Sequence, residues 1–181
     1  MMQRIVGTIA PDFKMEAVAG NGEDFITTSL SDYKGKWLVL FFYPLDFTFV
    51  CPTEITGVSR RINEFKEVNT EVLGVSIDSK FSHKAWINTS LEEGGLGKIS
   101  YPLASDITKE VSRQYGVLME EEGIALRGLF IIDPDSKIRY SVVQDLNVGR
   151  SVDETLRVLQ ALQSGGLCPV DWKPGDEHLK V

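Results

Sequence analysis

The sequence contains few of the residues that build metal sites and disulfide frameworks. Its 181 residues include two histidines and two cysteines, scattered over the chain without the paired local spacing of a zinc site. Cys51 and Cys168 lie far apart, whereas a structural disulfide framework needs more and closer pairs. We therefore predict neither a metal nor a bound cofactor. Any bond between the two thiols is expected to form and break during function.

Positive charge and long apolar runs are also scarce. The formal net charge is −7 and the isoelectric point is about 4.9, whereas a nucleic-acid or anionic-membrane surface requires a basic face. No stretch approaches the ~18 consecutive apolar residues of a membrane span, and the N-terminal MMQRIVGTIAPDF lacks the apolar core of a signal peptide. These absences predict a cytoplasmic protein that binds neither nucleic acid nor membrane.

The sequence alternates apolar runs with amphipathic segments. Residues 37–43, 70–77 and 128–133 are rich in β-branched and aromatic side chains without polar alternation, which is typical of strands covered on both faces. Residues 138–143 follow the turn-forming DPDSK and are predicted to pair back as a hairpin. Near the N-terminus, FKMEAVAGNGEDFITTSL predicts a second hairpin with GNG at its turn.

Helical spacing separates these runs. Behind Pro52, apolar residues recur at helical intervals, namely Ile55, Val58, Ile62 and Phe65. Further helices are predicted over 82–91, over 106–116 with an aspartate N-cap, and over 151–164 with a capping box at its start. With 43% hydrophobic and 25% charged side chains, the pattern indicates one α/β domain with a sheet between helices.

Cys51 stands between the apolar run and the helix behind Pro52. Proline is favoured at the first helical position, which predicts Cys51 as the N-cap. Unpaired backbone N–H groups and the positive end of the helix dipole would then stabilise a thiolate, the nucleophilic form of the side chain. A free cysteine is also commonly a small buried core residue, and this alternative stays open on geometry alone.

Two other thiol chemistries lack the necessary residues. A cysteine protease needs a histidine base, and neither His83 nor His178 stands in a recognisable nucleophile–base context. A dithiol reductase would carry Cys-x-x-Cys at the helix start, but Thr48 occupies the place of the first thiol. A hydroxyl there can hydrogen-bond a substrate oxygen and cannot form a local disulfide.

The segment Pro44-x-x-x-Thr48-x-x-Cys51, followed by Pro52-Thr53-Glu54, resembles the peroxidatic motif of the peroxiredoxins. The segment GGLCPVDWKPG around Cys168 resembles the resolving site of the typical 2-Cys subgroup, the alkyl hydroperoxide reductase C or thioredoxin peroxidase type. The similarity runs over nearly the whole chain and includes APDF, HKAWIN, GGLG, LRGLFIIDP and VGRSVDE. The active-site motif is the most specific of these, because it fixes several chemically distinct residues in one loop.

The resemblance implies a thioredoxin-like α/β fold, with a central mixed sheet flanked by helices, an N-terminal hairpin extension and a C-terminal arm. Residues 1–165 would form the peroxidase domain, and residues 166–181 the arm that carries the resolving cysteine. In the family, a peroxidatic cysteine is oxidised by a hydroperoxide to a sulfenic acid, which a resolving cysteine converts to a disulfide.

The resemblance also implies roles for individual residues. Cys51 would attack the peroxide, and Cys168 would resolve the product. Thr48, the backbone N–H of Cys51 and Arg127 would hold the peroxide oxygens, and Pro44 would shield the sulfur. Two further residues, Glu54 and Arg150, would form an ionic network that supports the active arginine. On spacing alone, an exposed loop threonine and solvated charges would be the ordinary interpretation.

The implied partners are a hydroperoxide, a second copy of the chain and an electron donor. Cys168 of one chain would meet Cys51 of the other in a homodimer, and five dimers would form a decamer when reduced; the spacing itself allows an intrachain or an interchain bond. The donor would be thioredoxin or a dedicated flavoprotein disulfide reductase. A holdase chaperone and a peroxide sensor or redox relay remain alternative functions.

Overall fold

Seven strands form one mixed sheet in the computed structural model of the chain, which describes residues 4–180. The strand order is β2-β1-β5-β4-β3-β8-β9, and two further short strands, β6 and β7, pair separately. The strands are β1 Lys14–Val18, β2 Phe25–Ser29, β3 Trp37–Phe42, β4 Thr70–Ser76, β5 Leu103–Ser105, β6 Leu118–Met119, β7 Ile124–Ala125, β8 Arg127–Ile132 and β9 Ile138–Gln144. The predicted α/β class and central mixed sheet are confirmed.

The centre of the sheet consists of the strands predicted from uninterrupted apolar runs. β3 pairs in parallel with β4 and antiparallel with β8. All six residues of β8 are buried, as are five of the six in β3, because strands at the centre of a sheet are covered on both faces. Both predicted hairpins are present, β1 with β2 and β8 with β9.

Five α-helices accompany the strands in the described part of the chain. They are α1 Cys51–Arg60, α2 Ile62–Glu67, α3 Lys80–Asn88, α4 Glu110–Gln114 and α5 Val152–Ser164. Short 3-10 helices cover Leu30–Tyr33 and Leu91–Glu93. The helix predicted behind Pro52 is divided, because the backbone at Arg61 leaves helical geometry with φ −109° and ψ 15°.

The start of α4 differs from the prediction. Lys109, in the left-handed conformation with φ 63°, is the N-cap, and Asp106 lies outside the helix. The Asp106 carboxylate nevertheless accepts hydrogen bonds from the backbone N–H groups of Val111 and Ser112, at 3.2 and 2.7 Å. The aspartate therefore satisfies free N–H groups as a cap does, although it lies three residues before the N-cap, Lys109.

The chain divides into two compact units, Met1–Arg150 and Ser151–Val181. The second unit contains α5, whose N-cap Ser151 accepts a hydrogen bond from the Glu154 N–H and whose C-cap Gly165 has φ 68°. The domain boundary expected between residues 165 and 166 stays a prediction. Among residues 4–180, no helix has the length and hydropathy to cross a membrane.

The pairing of β3 with β8 places two distant parts of the chain together. Because the strands are antiparallel, with Phe41 opposite Leu129, the start of β8 lies beside the end of β3. β3 leads through residues 43–50 into α1, and β8 begins at Arg127. An aromatic cluster of Phe42, Phe130 and Tyr115 packs in the core below this edge. The predicted thiol and the predicted arginine therefore meet at one edge of the sheet.

Candidate active site

Cys51 is the first residue of α1 and is fully buried. The helix begins one residue earlier than predicted, so Val50 is the N-cap and Pro52 occupies the second position. In the hydrogen bonds that the structure shows for residues 4–180, the backbone N–H of Cys51 has no acceptor. The sulfur therefore lies at the positive end of a ten-residue helix with one free N–H donor beside it.

Arg127 provides the direct contact to the sulfur. Its Nη1 lies 3.4 Å from Cys51 Sγ, and its Nε donates to the carbonyl oxygen of Leu146 at 2.7 Å. The side chain is only 3% exposed, so its charge acts in a medium of low polarity. This cation favours a negative charge on the sulfur.

Glu54 binds both arginines of the site. Its Oε2 accepts from Arg127 Nη1 at 2.7 Å and from Arg150 Nη2 at 2.9 Å. Its Oε1 accepts from the side-chain Nε and from the backbone N–H of Arg150, both at 2.8 Å. Burial opposes ionisation of this carboxyl, but the hydrogen bonds and charge of Arg150 and the charge of Arg127 outweigh it and lower the pKa of Glu54.

Arg150 attaches this network to the sheet. Its Nη1 donates to the carbonyl oxygens of Phe42 and Gly128, at 2.8 and 2.6 Å. Its guanidinium also lies over the ring of Phe41, 5.2 Å from the centroid. Glu54 is thereby fixed relative to β3 and β8, and it fixes Arg127 at the sulfur. The structure brings together four of the predicted residues: Cys51, Arg127, Glu54 and Arg150.

Pro44 and Thr48 lie in the loop of residues 43–50, between β3 and α1. Pro44 is buried, and Thr48 is partly exposed. The Thr48 hydroxyl donates to the carbonyl oxygen of Leu45 at 2.9 Å, and the structure shows no hydrogen bond from it to the sulfur of Cys51 among the described residues. The roles of Pro44 and Thr48 toward a peroxide remain predictions.

A buried polar cluster, which no sequence pattern predicted, holds this loop. Asp46 Oδ2 lies 2.8 Å from His83 Nδ1 of α3, and His83 Nε2 lies 3.0 Å from the carbonyl oxygen of Ala104. Asp46 also accepts from the hydroxyls of Tyr43 and Ser82, at 2.9 and 2.8 Å. Burial and the charge of Asp46 raise the pKa of Tyr43, so this phenol stays protonated and donates.

Asp46 is the only Asp, Glu, Lys or Arg between Lys36 and Glu54. This isolation is the feature of the sequence that could have indicated a buried polar cluster. An aspartate within an apolar segment needs buried partners if it points inward. The side chain fixes the backbone two residues before Thr48. Its backbone N–H donates to Asp78 Oδ2 at 3.0 Å, which adds a second attachment for the loop.

Cys168 belongs to the second unit and is half-buried, and both cysteines are free thiols. Its sulfur lies 3.5 Å from the hydroxyl oxygen of Ser164 and 3.6 Å from the carbonyl oxygen of Ala161. The side chain is therefore hydrogen-bonded within its own unit.

Around Cys51, the arrangement suits nucleophilic chemistry at sulfur. A buried thiol has a cation on one side and a free N–H on its own backbone, and a carboxylate held by two arginines fixes the cation. Such donors stabilise charge that develops on the attacking sulfur or on an oxygen bound beside it. Within residues 4–180, no group of three or more His, Cys, Asp or Glu side chains could hold a metal.

Comparisons with known proteins identify the family. Residues 6–141 match the AhpC/TSA family. The chain is 58% identical to the chloroplastic 2-Cys peroxiredoxin BAS1 of Spinacia oleracea, over 97% of this chain and 68% of that protein. It is 56% identical to peroxiredoxin prdx-2 of Caenorhabditis elegans, over 99% of this chain and 90% of that protein. The crystal structure of reduced Plasmodium vivax 2-Cys peroxiredoxin is similar, with a TM-score of 0.95 and 43% identity. The match covers 98% of this chain and 94% of that chain.

Proposed function

This chain belongs to the AhpC/TSA family and is a peroxiredoxin, a thiol peroxidase, and from that premise we propose that Cys51 reduces hydrogen peroxide and organic hydroperoxides and that Cys168 resolves the product. The contact of Arg127 with the buried sulfur, 3.4 Å from Nη1 to Sγ, carries the proposal. No other described cysteine has a cation at this distance.

In the first step, the Cys51 thiolate attacks the terminal oxygen of the hydroperoxide. A sulfur–oxygen bond forms and the oxygen–oxygen bond breaks, leaving a sulfenic acid on Cys51. The leaving oxygen takes a proton and departs as water or an alcohol. Arg127, the Cys51 N–H and the Thr48 hydroxyl stabilise the negative charge as it moves from sulfur to oxygen, and Pro44 shields the sulfur from water.

In the second step, Cys168 of a second copy attacks the sulfenic sulfur and forms an interchain disulfide with Cys51. The peroxidatic sulfur is 0% exposed, so the first turn of α1 has to open before another thiol reaches it. Thioredoxin or a dedicated flavoprotein disulfide reductase then restores both thiols. The two free cysteines suit a reducing cytoplasm, where we place this cycle.

The proposed assembly is a homodimer that forms a decamer when reduced. Phe47 and Phe49 support it, because they are 51% and 93% exposed and lie in the loop that adjoins Cys51. Exposed aromatic side chains are common at protein interfaces. Opening the first turn of α1 would move Phe49, which couples oxidation to a weaker interface.

Single-turnover kinetics test the two cysteine roles. Cys51→Ser should abolish peroxide reduction with every donor. Cys168→Ser should instead consume one equivalent of peroxide rapidly and leave a sulfenic acid that dimedone traps at Cys51. Equal inactivity of both variants in a single turnover would contradict the assignment. Coupling the wild-type protein to each candidate reductase identifies the donor, and peroxide consumption that depends on Cys51 separates the enzyme from a holdase.

A further inference from the structure

Cys168 is surrounded by hydrogen-bond acceptors and one hydroxyl. The carbonyl oxygens of Ala161 and Gly166 lie 3.6 and 3.7 Å from its sulfur, and the hydroxyl oxygen of Ser164 lies at 3.5 Å. Carbonyl oxygens accept a hydrogen bond from a thiol but give no stabilisation to a thiolate. Ser164 is therefore the one neighbour in this set that can both receive the thiol proton and donate to the anion.

His178 contacts the same serine from the other side. Its Nε2 lies 3.0 Å from Ser164 Oγ, so sulfur, hydroxyl and imidazole form a continuous chain. The imidazole stacks on the Trp172 ring, with the centroids 5.4 Å apart and the planes 13° apart. Gly166 adjoins the imidazole, and a Cβ on this glycine would clash with the ring atoms.

The turn that presents His178 has its own internal hydrogen bonds. Trp172 is buried, and its Nε1 donates to the carbonyl oxygen of Asp176 at 3.1 Å. The Asp176 carboxylate accepts from the Lys173 N–H at 2.8 Å. Beyond the histidine, the Leu179 N–H donates to the carbonyl oxygen of Leu167 at 2.9 Å. The imidazole is thus held in position by its own unit.

We propose that Ser164 and His178 form a proton relay that activates Cys168 as the resolving nucleophile. The proposal rests on the resolving role given to Cys168 above. In the relay, the Cys168 thiol gives its proton to Ser164 Oγ while the Ser164 hydroxyl gives its proton to His178 Nε2. The products are a thiolate, a neutral serine that donates to it, and an imidazolium.

The activated thiolate then resolves the sulfenic acid on Cys51. The Cys168 thiolate attacks the Cys51 sulfur, a sulfur–sulfur bond forms, and the sulfur–oxygen bond of the sulfenic acid breaks. Hydroxide leaves and becomes water with the proton held by His178. Cys168 is oxidised and Cys51 is reduced, so no further oxidant is needed.

The serine is placed for this exchange. Its hydroxyl lies 2.7 Å from the carbonyl oxygen of Ala161, to which it donates in the structure. Rotation about one side-chain bond redirects the hydroxyl proton from Ala161 to His178, and an oxygen lone pair then faces Cys168. The backbone N–H of Gly166 lies 3.4 Å from the same oxygen and helps to keep it in place.

Alkylation of Cys168 by iodoacetamide tests the relay in a Cys51→Ser background, where the peroxide reaction does not occur. His178→Phe keeps a flat ring between Trp172 and Gly166 and removes the base. This variant and Ser164→Ala should each alkylate about tenfold more slowly, the factor expected for one hydrogen bond to a charged group. Glu177→Gln, which changes a neighbouring charge, should leave the rate within twofold.

Imidazole distinguishes proton transfer from a structural role. Added imidazole should restore the alkylation rate of a His178→Ala variant and should not restore that of Ser164→Ala. A concentration of about 50–100 mM is enough to saturate a weak site of millimolar affinity. An unchanged rate in His178→Phe, or the same slow rate with and without imidazole, overturns the relay. If alkylation behaves as expected but peroxide-treated wild-type protein forms no interchain disulfide between Cys51 and Cys168, the proposed function fails instead.

Discussion

Removing the charge of Glu54 should destabilise the protein. Among the described residues, its carboxylate is the only anion that contacts the two site arginines. Glu54→Gln keeps the shape of the side chain and removes its charge. It also turns one oxygen into an NH2 group that faces an arginine donor. Four hydrogen bonds between 2.7 and 2.9 Å are affected. Arg127 and Arg150 are then left buried without their counter-charge.

The size of the effect follows from burial. Glu54, Arg127 and Arg150 have side-chain exposures of 6%, 3% and 6%, so solvent does little to screen them. Removing one partner of a buried ion pair costs about 3–5 kcal/mol. In a chain of this length, 1 kcal/mol changes the melting temperature by about 2–4 °C, which gives a decrease of about 6–20 °C.

Thermal unfolding of the reduced protein, followed by circular dichroism, measures this change. Glu120→Gln is the matched control, because Glu120 binds Arg113 through two oxygens at 2.6 and 3.0 Å in a pair that is more than half exposed. Exposed pairs contribute little to stability, so the control should unfold near the wild-type temperature.

The same substitution should slow peroxide reduction. Without Glu54, the guanidinium of Arg127 loses the contact that holds it 3.4 Å from the sulfur, and misplacement of a charge-stabilising donor costs about 10²–10³ in rate. A single-turnover peroxide assay at a temperature where the variant is folded measures this loss. A Glu54→Gln protein that melts with the control and reacts at the wild-type rate would refute the account of the network.

Further outcomes are expected at the loop, in acid and in assembly. Thr48→Val should lower the rate of the first step by roughly 10²–10³ in stopped-flow assays, while Thr48→Ser should keep most of it. Because the pKa of Glu54 is lowered from 4.5, its contribution to stability is present above that value and is lost as pH falls through the folded-state pKa. Denaturant titrations should therefore show the difference between wild type and Glu54→Gln narrowing below about pH 4. In sedimentation velocity, the protein should change from decamer when reduced toward dimer when oxidised, and a monomer in both states would contradict the assembly.

Local sequence patterns predicted the elements that local physics determines. The run at 37–43 was predicted as a buried strand, because its seven consecutive apolar residues are rich in aromatic side chains and leave no polar face. The position of Cys51 at a helix start followed, to within one residue, from the proline behind it. The predicted start of α4 was wrong, because Lys109 in the left-handed conformation separates Asp106 from the helix whose N–H groups it binds.

Long-range contacts were not predictable from spacing. Arg127 meets Cys51 because β3 and β8 pair antiparallel, and no periodicity in the sequence specifies that pairing. The resemblance named Arg127, and the structure supplied the reason for its position. The pair of Asp46 and His83 was missed altogether, because a contact between a loop and a helix 37 residues apart leaves no repeating pattern.

The two attachments of the active-site loop also limit how far the Cys51 sulfur can move. Asp46 is held by His83, and Glu54 is held by Arg127 and Arg150, so opening α1 at its first turn frees only the residues between these two anchors. Cys51 lies three positions before Glu54, and an extended chain advances about 3.3–3.6 Å per residue. The sulfur can therefore travel through a radius of about 10 Å around a fixed point. In the proposed cycle, the resolving thiol therefore has to arrive within that sphere, while the central strands of the sheet stay in place.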